Sequence, residues 1–428
     1  MKRSKNITGI HKSILNVKIK IRVLCHFIPC VVTGAISVKS FVAFLRRLLY
    51  FLKKMQHNKF VRLKGNARID LYVPGYPSPA FYTACKKFMT FDEKLPCTTV
   101  LVSVTSACAY HCCHCYQKND LGKDVEIAIL VKTIKELQDM GIAFYNIEGG
   151  EPFLVFDRVK LVCDAIDERS EIWINSTGYG MSKEKMAQLP HITACMFSLH
   201  SYKPDEFNRF MGYKDAWSIM EHGISVCHAL NIPVTFNTCL LKESFYDGTF
   251  QEIMKCAHNY NASIVQLIKP KPAGGWLESG ADNFTPDDIR HVKNLVNTYN
   301  HSKEYKEYPS ISAQIIEEDP EVFGCTAGGT DRFYINAKGD VQPCEFLNIS
   351  FGNIAEDKFS TIYKKMRSYF ETPKECWLCE KYSSKVVAIY KENHLTSLPL
   401  SPDLSRLVYN DWDRGKETDL YKTIQRIK

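Results

Sequence analysis

The stretch that most constrains this chain is Ser106-Ala-Cys-Ala-Tyr-His-Cys-Cys-His-Cys-Tyr116, in which Cys108, Cys112 and Cys115 stand at the spacing C-x3-C-x2-C. Three thiolates on one short loop can hold three irons of a [4Fe–4S] cube and leave the fourth iron without a protein ligand. An open position of this kind is what a catalytic metal centre keeps. A zinc knuckle is the competing reading, with His111, Cys113 or His114 as fourth ligand. The chain holds 17 cysteines in 428 residues, an odd number with clustered spacing. That pattern argues for metal ligation and against a secreted disulfide framework.

Charge divides the chain. Residues 1–69 contain 16 Lys and Arg and no Asp or Glu, against +8 for the whole, so the remainder carries a net −8. A basic arm on an acidic body points to an anionic partner, either membrane lipid or nucleic acid. Within the arm, residues 23–38 form an apolar run of sixteen, interrupted by His26, Pro29 and Gly34 and short of the ~20 residues that span a bilayer. Residues 39–55 place Phe41, Phe44, Leu45, Leu48, Leu52 and Met55 on one helical face, with Arg46, Arg47, Lys53 and Lys54 mostly on the other. Such a helix suits a membrane interface, so peripheral attachment on the cytoplasmic membrane face is expected for residues 1–58. The alternatives are a helix docked on the protein's own body or a cleaved transit or signal peptide. Residues 59–97 read as a connecting segment without an assigned task.

From Thr98 onward strands and helices alternate. Residues 98–104 are a strand and 125–140 a helix stopped by Gly141, and the alternation repeats to a sixth strand at 264–268 and a sixth helix at 286–299. Six successive βα units require a parallel sheet with right-handed crossovers. Active sites on such sheets gather at the C-terminal strand ends, where the cysteine loop falls.

The cysteine loop resembles the signature of the radical S-adenosylmethionine (SAM) superfamily, and Ile147-Glu-Gly-Gly-Glu-Pro152 resembles that family's second motif. The resemblance implies an α/β fold: a partial (β/α)6 barrel over residues 98–305. It further implies SAM contacts from Gly149, Gly150 and Glu151, from Ser198 near the ribose, and from Arg209 at the SAM carboxylate. A glycine pair lets backbone approach a ligand closely, and a guanidinium suits a carboxylate. His200, Asn237 and Gln266 are further strand-end candidates.

Beyond the barrel, Cys325 and Cys344 enclose a hairpin pattern in which Ile335 and Val341 flank Asn-Ala-Lys-Gly339, and Cys376-Trp-Leu-Cys379 adds a C-x2-C pair. The arrangement resembles the SPASM/twitch module, which implies one auxiliary [4Fe–4S] cluster on Cys325, Cys344, Cys376 and Cys379 within residues 306–385. A structural zinc site on the same four thiolates is the alternative. No cysteine follows Cys379, so the shorter twitch form, with no second auxiliary cluster, is expected. Residues 386–428 form a charged tail without a motif.

The function implied is reductive cleavage of SAM to a 5′-deoxyadenosyl radical that takes hydrogen from a substrate C–H bond, with electrons from a donor such as a flavodoxin or ferredoxin. The basic arm favours a lipid or lipid-linked substrate at an anionic membrane surface. A peptide-modifying maturase is the alternative. A non-catalytic iron–sulfur or zinc protein that binds nucleic acid is the reading of another class. The arm's aromatics line an apolar face and do not interleave with basic residues, so no nucleic-acid partner is expected.

Overall fold

A computed structural model of the chain describes residues 6–89, 98–189, 191–279 and 283–427. The first five residues of the arm, residues 90–97 of the connecting segment and the last residue of the tail lie outside the described residues. The arm contains strand β1 (Asn6–Ile7) and helices α1 (Gly9–Val32) and α2 (Val38–Lys54), followed by the hairpin β2 (Phe60–Leu63) and β3 (Asn66–Arg68) and by helix α3 (Pro79–Lys86). Six strands of the main sheet come next: β4 (Thr99–Ser103), β5 (Phe144–Glu148), β6 (Glu171–Ser176), β7 (Ile192–Ser198), β8 (Val234–Cys239) and β9 (Ile264–Ile268). Near-continuous apolar runs suit strands covered on both faces, and every residue of β4 and β5 is buried. The helix Ile127–Met140 stops at Gly141, which adopts a left-handed φ of 95°, as its sequence predicts.

Two strands extend the six-unit sheet. β10 (Ser310–Ala313) pairs in parallel with β9, and β11 (Arg332–Ile335) pairs in parallel with β4. β11 then turns through residues 336–340 into the antiparallel strand β12 (Val341–Gln342), with Ile335 opposite Val341 as the hairpin pattern predicts. The sheet order is β10-β9-β8-β7-β6-β5-β4-β11-β12. The first strand of the cysteine-rich module is therefore also a strand of the barrel.

The segment read as a bare connector is the barrel's floor. Val61, Leu63 and Leu71 pack among Phe144, Trp173, Ala194, Met196 and Ile264 near the N-terminal ends of the strands. Arg68, 1% exposed, pairs with Glu171 at the start of β6 and donates to the carbonyls of Leu71 and Val73 at 2.6 and 2.8 Å. Its guanidinium also lies 4.7 Å over the Trp173 ring. At the open seam between β10 and β11, Ser310 donates to the Lys59 carbonyl and Arg332 stacks over Tyr72 at 5.7 Å. His57, Asp70 and Glu317 meet at the same seam with ligating atoms within 4.8 Å of one another. The Asn58 amide donates to Asp70 at 3.1 Å and to Glu317 at 3.4 Å, making this a hydrogen-bonded polar cluster.

The apolar face of α2 is correct in periodicity, but its partner is the protein itself. Phe41, Phe44, Leu48, Leu52 and Met55 are buried against Ile19, Val23 and Phe27 of α1, Phe81 and Cys85 of α3, and Leu420, Tyr421 and Ile424 of the C-terminal helix Asp419–Arg426. The charged tail thus ends in a helix that completes the core of the arm.

Replacing Arg68 by Met leaves the Glu171 carboxylate buried and unpaired. The expected loss is about 3–5 kcal/mol of stability, read as an earlier midpoint in chemical denaturation.

Candidate active site

A cavity of about 190 Å³ lies at the C-terminal strand ends. Cys108, Cys112 and Cys115 line it together with Gly149, Gly150, Ser198, His200, Asn237 and Gln266. The sequence candidates therefore converge, with two exceptions. Arg209 sits exposed on the helix Pro204–Met211 and is not among the lining residues. Glu151 is fully buried and turned the other way. Its carboxylate accepts from Ser176 Oγ at 2.8 Å, Thr177 Oγ1 at 2.6 Å and the Thr177 and Phe153 amides at 2.8 and 3.2 Å. Glu151 is thus a positioning residue that ties the loop after β5 to the loop after β6.

The cysteine loop has no regular structure of its own and is held from outside. Asp124 accepts from the Ser106 amide at 2.9 Å and from Thr105 Oγ1 at 2.6 Å. The Gly150 amide donates to the Thr105 carbonyl and the Glu151 amide to the Ala107 carbonyl, each at 2.8 Å. A Cβ on Gly150 would lie 2.2 Å from the Ala107 oxygen, so only glycine permits this approach. On the other side Gly274 adopts φ +50° and its neighbour's amide reaches the Cys115 carbonyl at 2.9 Å.

Burial pushes the Cys108 thiol up to about 11 and raises Cys112 and Cys115 as well. All three face the same cavity. Three clustered thiols on a cavity, whose closest protein acceptor is the Met211 carbonyl 3.4 Å from Cys112 Sγ, form a donor set that fits a cluster with one open iron. Iron must displace protons to bind there. Cys113 is exposed and is not among the residues that line the cavity. His114 is packed against His200, Phe210 and Trp276, with ring centroids 4.5, 4.7 and 5.7 Å away, and burial lowers its pKa to about 4.

Sequence reasoning named His200, Asn237 and Gln266 but missed the rest of the polar wall of the cavity. Glu148 accepts from Tyr116 Oη at 2.6 Å, Asn175 at 3.0 Å and Asn146 at 3.2 Å. Burial nevertheless pushes its carboxyl up to about 8. Tyr72 reaches the cavity from the floor segment and accepts from Gln266 at 2.7 Å. Around the cavity, Asn146 Oδ1, Asn175 Oδ1, Asn237 Oδ1 and Glu345 Oε2 are buried without a hydrogen-bond partner among the described residues. His200 Nδ1 accepts from the Cys239 amide at 3.1 Å, which leaves Nε2 as an unpartnered donor. The only sequence signal for these residues is their position at or just past strand ends.

The second cysteine group abuts the same cavity. Cys344 and Cys379 are buried and Cys325 and Cys376 half-buried, with Cys376 just before the helix Leu378–Glu392 that carries Cys379. Lys271, 1% exposed, lines the cavity and lies 3.0 Å from Glu380 and 3.4 Å from the centre of the Trp377 ring. Cys344 is followed directly by Glu345, another lining residue. The donor set of four thiols fits an auxiliary cluster.

Comparison with known proteins agrees with this geometry. The model of the radical SAM superfamily matches residues 102–257, and that of an iron–sulfur cluster-binding domain, SPASM, matches residues 325–380. The chain is 23% identical over 328 residues to an AdoMet-dependent heme synthase of Oleidesulfovibrio alaskensis, spanning 69% of this chain and 83% of that protein. It is 21% identical over 313 residues to a PqqA peptide cyclase of Rhizobium meliloti, spanning 68% and 80%. Among solved structures, Streptococcus suis SuiB bound to S-adenosylmethionine matches with a TM-score of 0.52 at 15% identity, over 68% of this chain and 73% of that one. SuiB bound to its precursor peptide SuiA matches with a TM-score of 0.51, over 66% and 69%.

Two outcomes follow from the site. Gly150→Ala drives a Cβ into the Ala107 carbonyl and is expected to lower SAM affinity on the order of tenfold or more, read by equilibrium binding to the reconstituted protein. The folded pKa of Glu148 lies above its unfolded value, so its contribution is present below pH ~4.5 and is lost as pH rises to about 8. Glu148→Gln should therefore flatten the fall in melting temperature between mildly acidic and alkaline buffers.

Proposed function

The chain carries a radical SAM domain and an auxiliary iron–sulfur module, and from that premise we propose that the C–H bond it opens belongs to a peptide. When bound, a [4Fe–4S] cluster on Cys108, Cys112 and Cys115 supplies the electron that cleaves SAM and so generates the hydrogen-abstracting radical. The chain's own residues position the two substrates and exclude water.

The observation that carries the peptide reading is the unspent hydrogen-bonding capacity of the wall. Asn146, Asn175, Asn237 and Glu345 present acceptors, and His200 presents a donor. SAM draws on some of these groups, and a peptide backbone offers an N–H and a C=O at each residue to answer the rest. A hydrocarbon chain in their place would leave each group dry and unpaired, at about 1–3 kcal/mol apiece. The apolar face of α2, which suggested a membrane-interface helix, lies inside the protein. Relatives named as heme synthases make a tetrapyrrole the second reading. Its carboxylates would need free cations, and Lys271, the one Lys or Arg among the described lining residues, is already engaged by Glu380. The relatives named as peptide-modifying enzymes, and the SuiB fold seen with its peptide, support the first reading.

The test is 5′-deoxyadenosine formation by anaerobically reconstituted protein with SAM and a strong reductant. Separate reactions receive the source cell's peptide fraction, its lipid extract or an iron tetrapyrrole with carboxylate side chains. Stimulation by the peptide fraction, with a mass change in a peptide, is the expected result. Stimulation by lipid or by tetrapyrrole alone would overturn the proposal.

A further inference from the structure

The arm hides one apolar face and displays another. Along α1, Ile10, Ile14, Val17, Ile21, Leu24, Ile28 and Val32 follow one another in steps of three and four. All seven are exposed, from 37% at Leu24 to 80% at Val32. The opposite face of the same helix carries Ile19, Val23 and Phe27, which are buried against α2 and α3. The exposed stripe is therefore not a packing face of the described chain. It extends for about six turns, or ~33 Å. Val38 and Val42 of α2, also exposed, continue the apolar surface past the turn between the helices.

On the helical wheel Lys18 and Arg22 flank the stripe on one side and Lys20 on the other. None of the three is in an ion pair among the described residues. Branched aliphatic side chains in a line, bordered by cations and with no acid in the arm, match the surface of an anionic bilayer: acyl chains below, phosphate at the rim. No helix of the described residues is long and apolar enough to cross a membrane, so the stripe can lie along the interface but not span it. The three-four spacing would also suit a coiled-coil seam with a second copy. In that pairing Lys18, Lys20 and His11 would face their own kind with no carboxylate in the arm to answer them. Charge thus decides between the two occupants.

We infer that the outward face of α1 docks the protein on an anionic membrane surface. The docking residues and the catalytic residues are separate, since no residue of α1 or α2 lines the cavity. The inference stands whichever substrate the cavity takes.

The test is co-sedimentation of the full chain with vesicles, comparing phosphatidylglycerol–phosphatidylcholine mixtures with phosphatidylcholine alone, at low and high salt. The wild type is expected to prefer the anionic vesicles at least tenfold, with binding weakened by salt. Ile14→Asp/Ile21→Asp and Lys18→Glu/Lys20→Glu should each lower binding on the order of tenfold, while circular dichroism and melting temperature stay close to wild type because these side chains lie outside the buried core of the arm. Equal vesicle binding by the wild type and both variants would overturn the inference. So would failure of the wild type to bind vesicles while it sediments as a dimer that Ile14→Asp/Ile21→Asp splits, which would assign the stripe to a second copy.

Discussion

Backbone pressed against backbone is the constraint on which this site depends. Three soft ligands on a loop without regular structure have to be held to a common point before iron arrives. The means are short main-chain hydrogen bonds: Gly150 to Thr105, Glu151 to Ala107, Gly275 to Cys115 and Cys113 to Phe210. They come from three neighbouring stretches, after β5, after β9 and at the end of the helix Pro204–Met211. Main-chain contacts of this kind are insensitive to side-chain rotamers, so the loop's shape is set by the barrel as a whole. Burial raises the thiols, so iron binding releases protons, and the cost of ordering the loop is met by folding.

The order of strands, the two cysteine groups and the β11–β12 hairpin were legible in the sequence for a common reason: each is a local pattern. Runs such as Thr99–Ser103 identify themselves by composition, and Gly141 and Gly339 mark stops that the backbone then makes. What escaped depends on distance along the chain. The floor consists of residues 57–72, whose alternating polar and apolar residues read as a linker until Glu171 and Trp173 supply partners for Arg68. β10 is a four-residue strand, too short to declare itself away from the sheet edge it joins, and nothing local marks the pairing of β11 with β4. The face of α2 was read correctly, but periodicity reports that a face is apolar and not what covers it. Glu151 shows the same limit at a single residue, because an acid beside two glycines can face a ligand or, as here, hold a neighbouring turn.

Between the two cysteine groups lies an electrostatic seam. Lys269 and Lys271, on the loop after β9, converge on Glu380, one residue beyond Cys379, and both stack on Trp377. Trp377 Nε1 in turn donates to the Glu318 carbonyl at 2.9 Å, and Glu318 pairs with Arg332 of β11. The barrel and the module share these charges, so the distance from the cavity to the second cysteine group is fixed by buried ion pairs and not by a linker.

The parallel pairing of β11 with β4 bears on how the protein is made. β4 leads directly into the cysteine loop, yet one of its two edges stays open until Arg332–Ile335 has been synthesised and has returned to it. The strand that presents the thiols is thus among the last to be enclosed, with a high contact order for the whole barrel. A ribosome that stalls before β11 therefore leaves behind a chain in which the strand leading into the cysteine loop has an exposed edge.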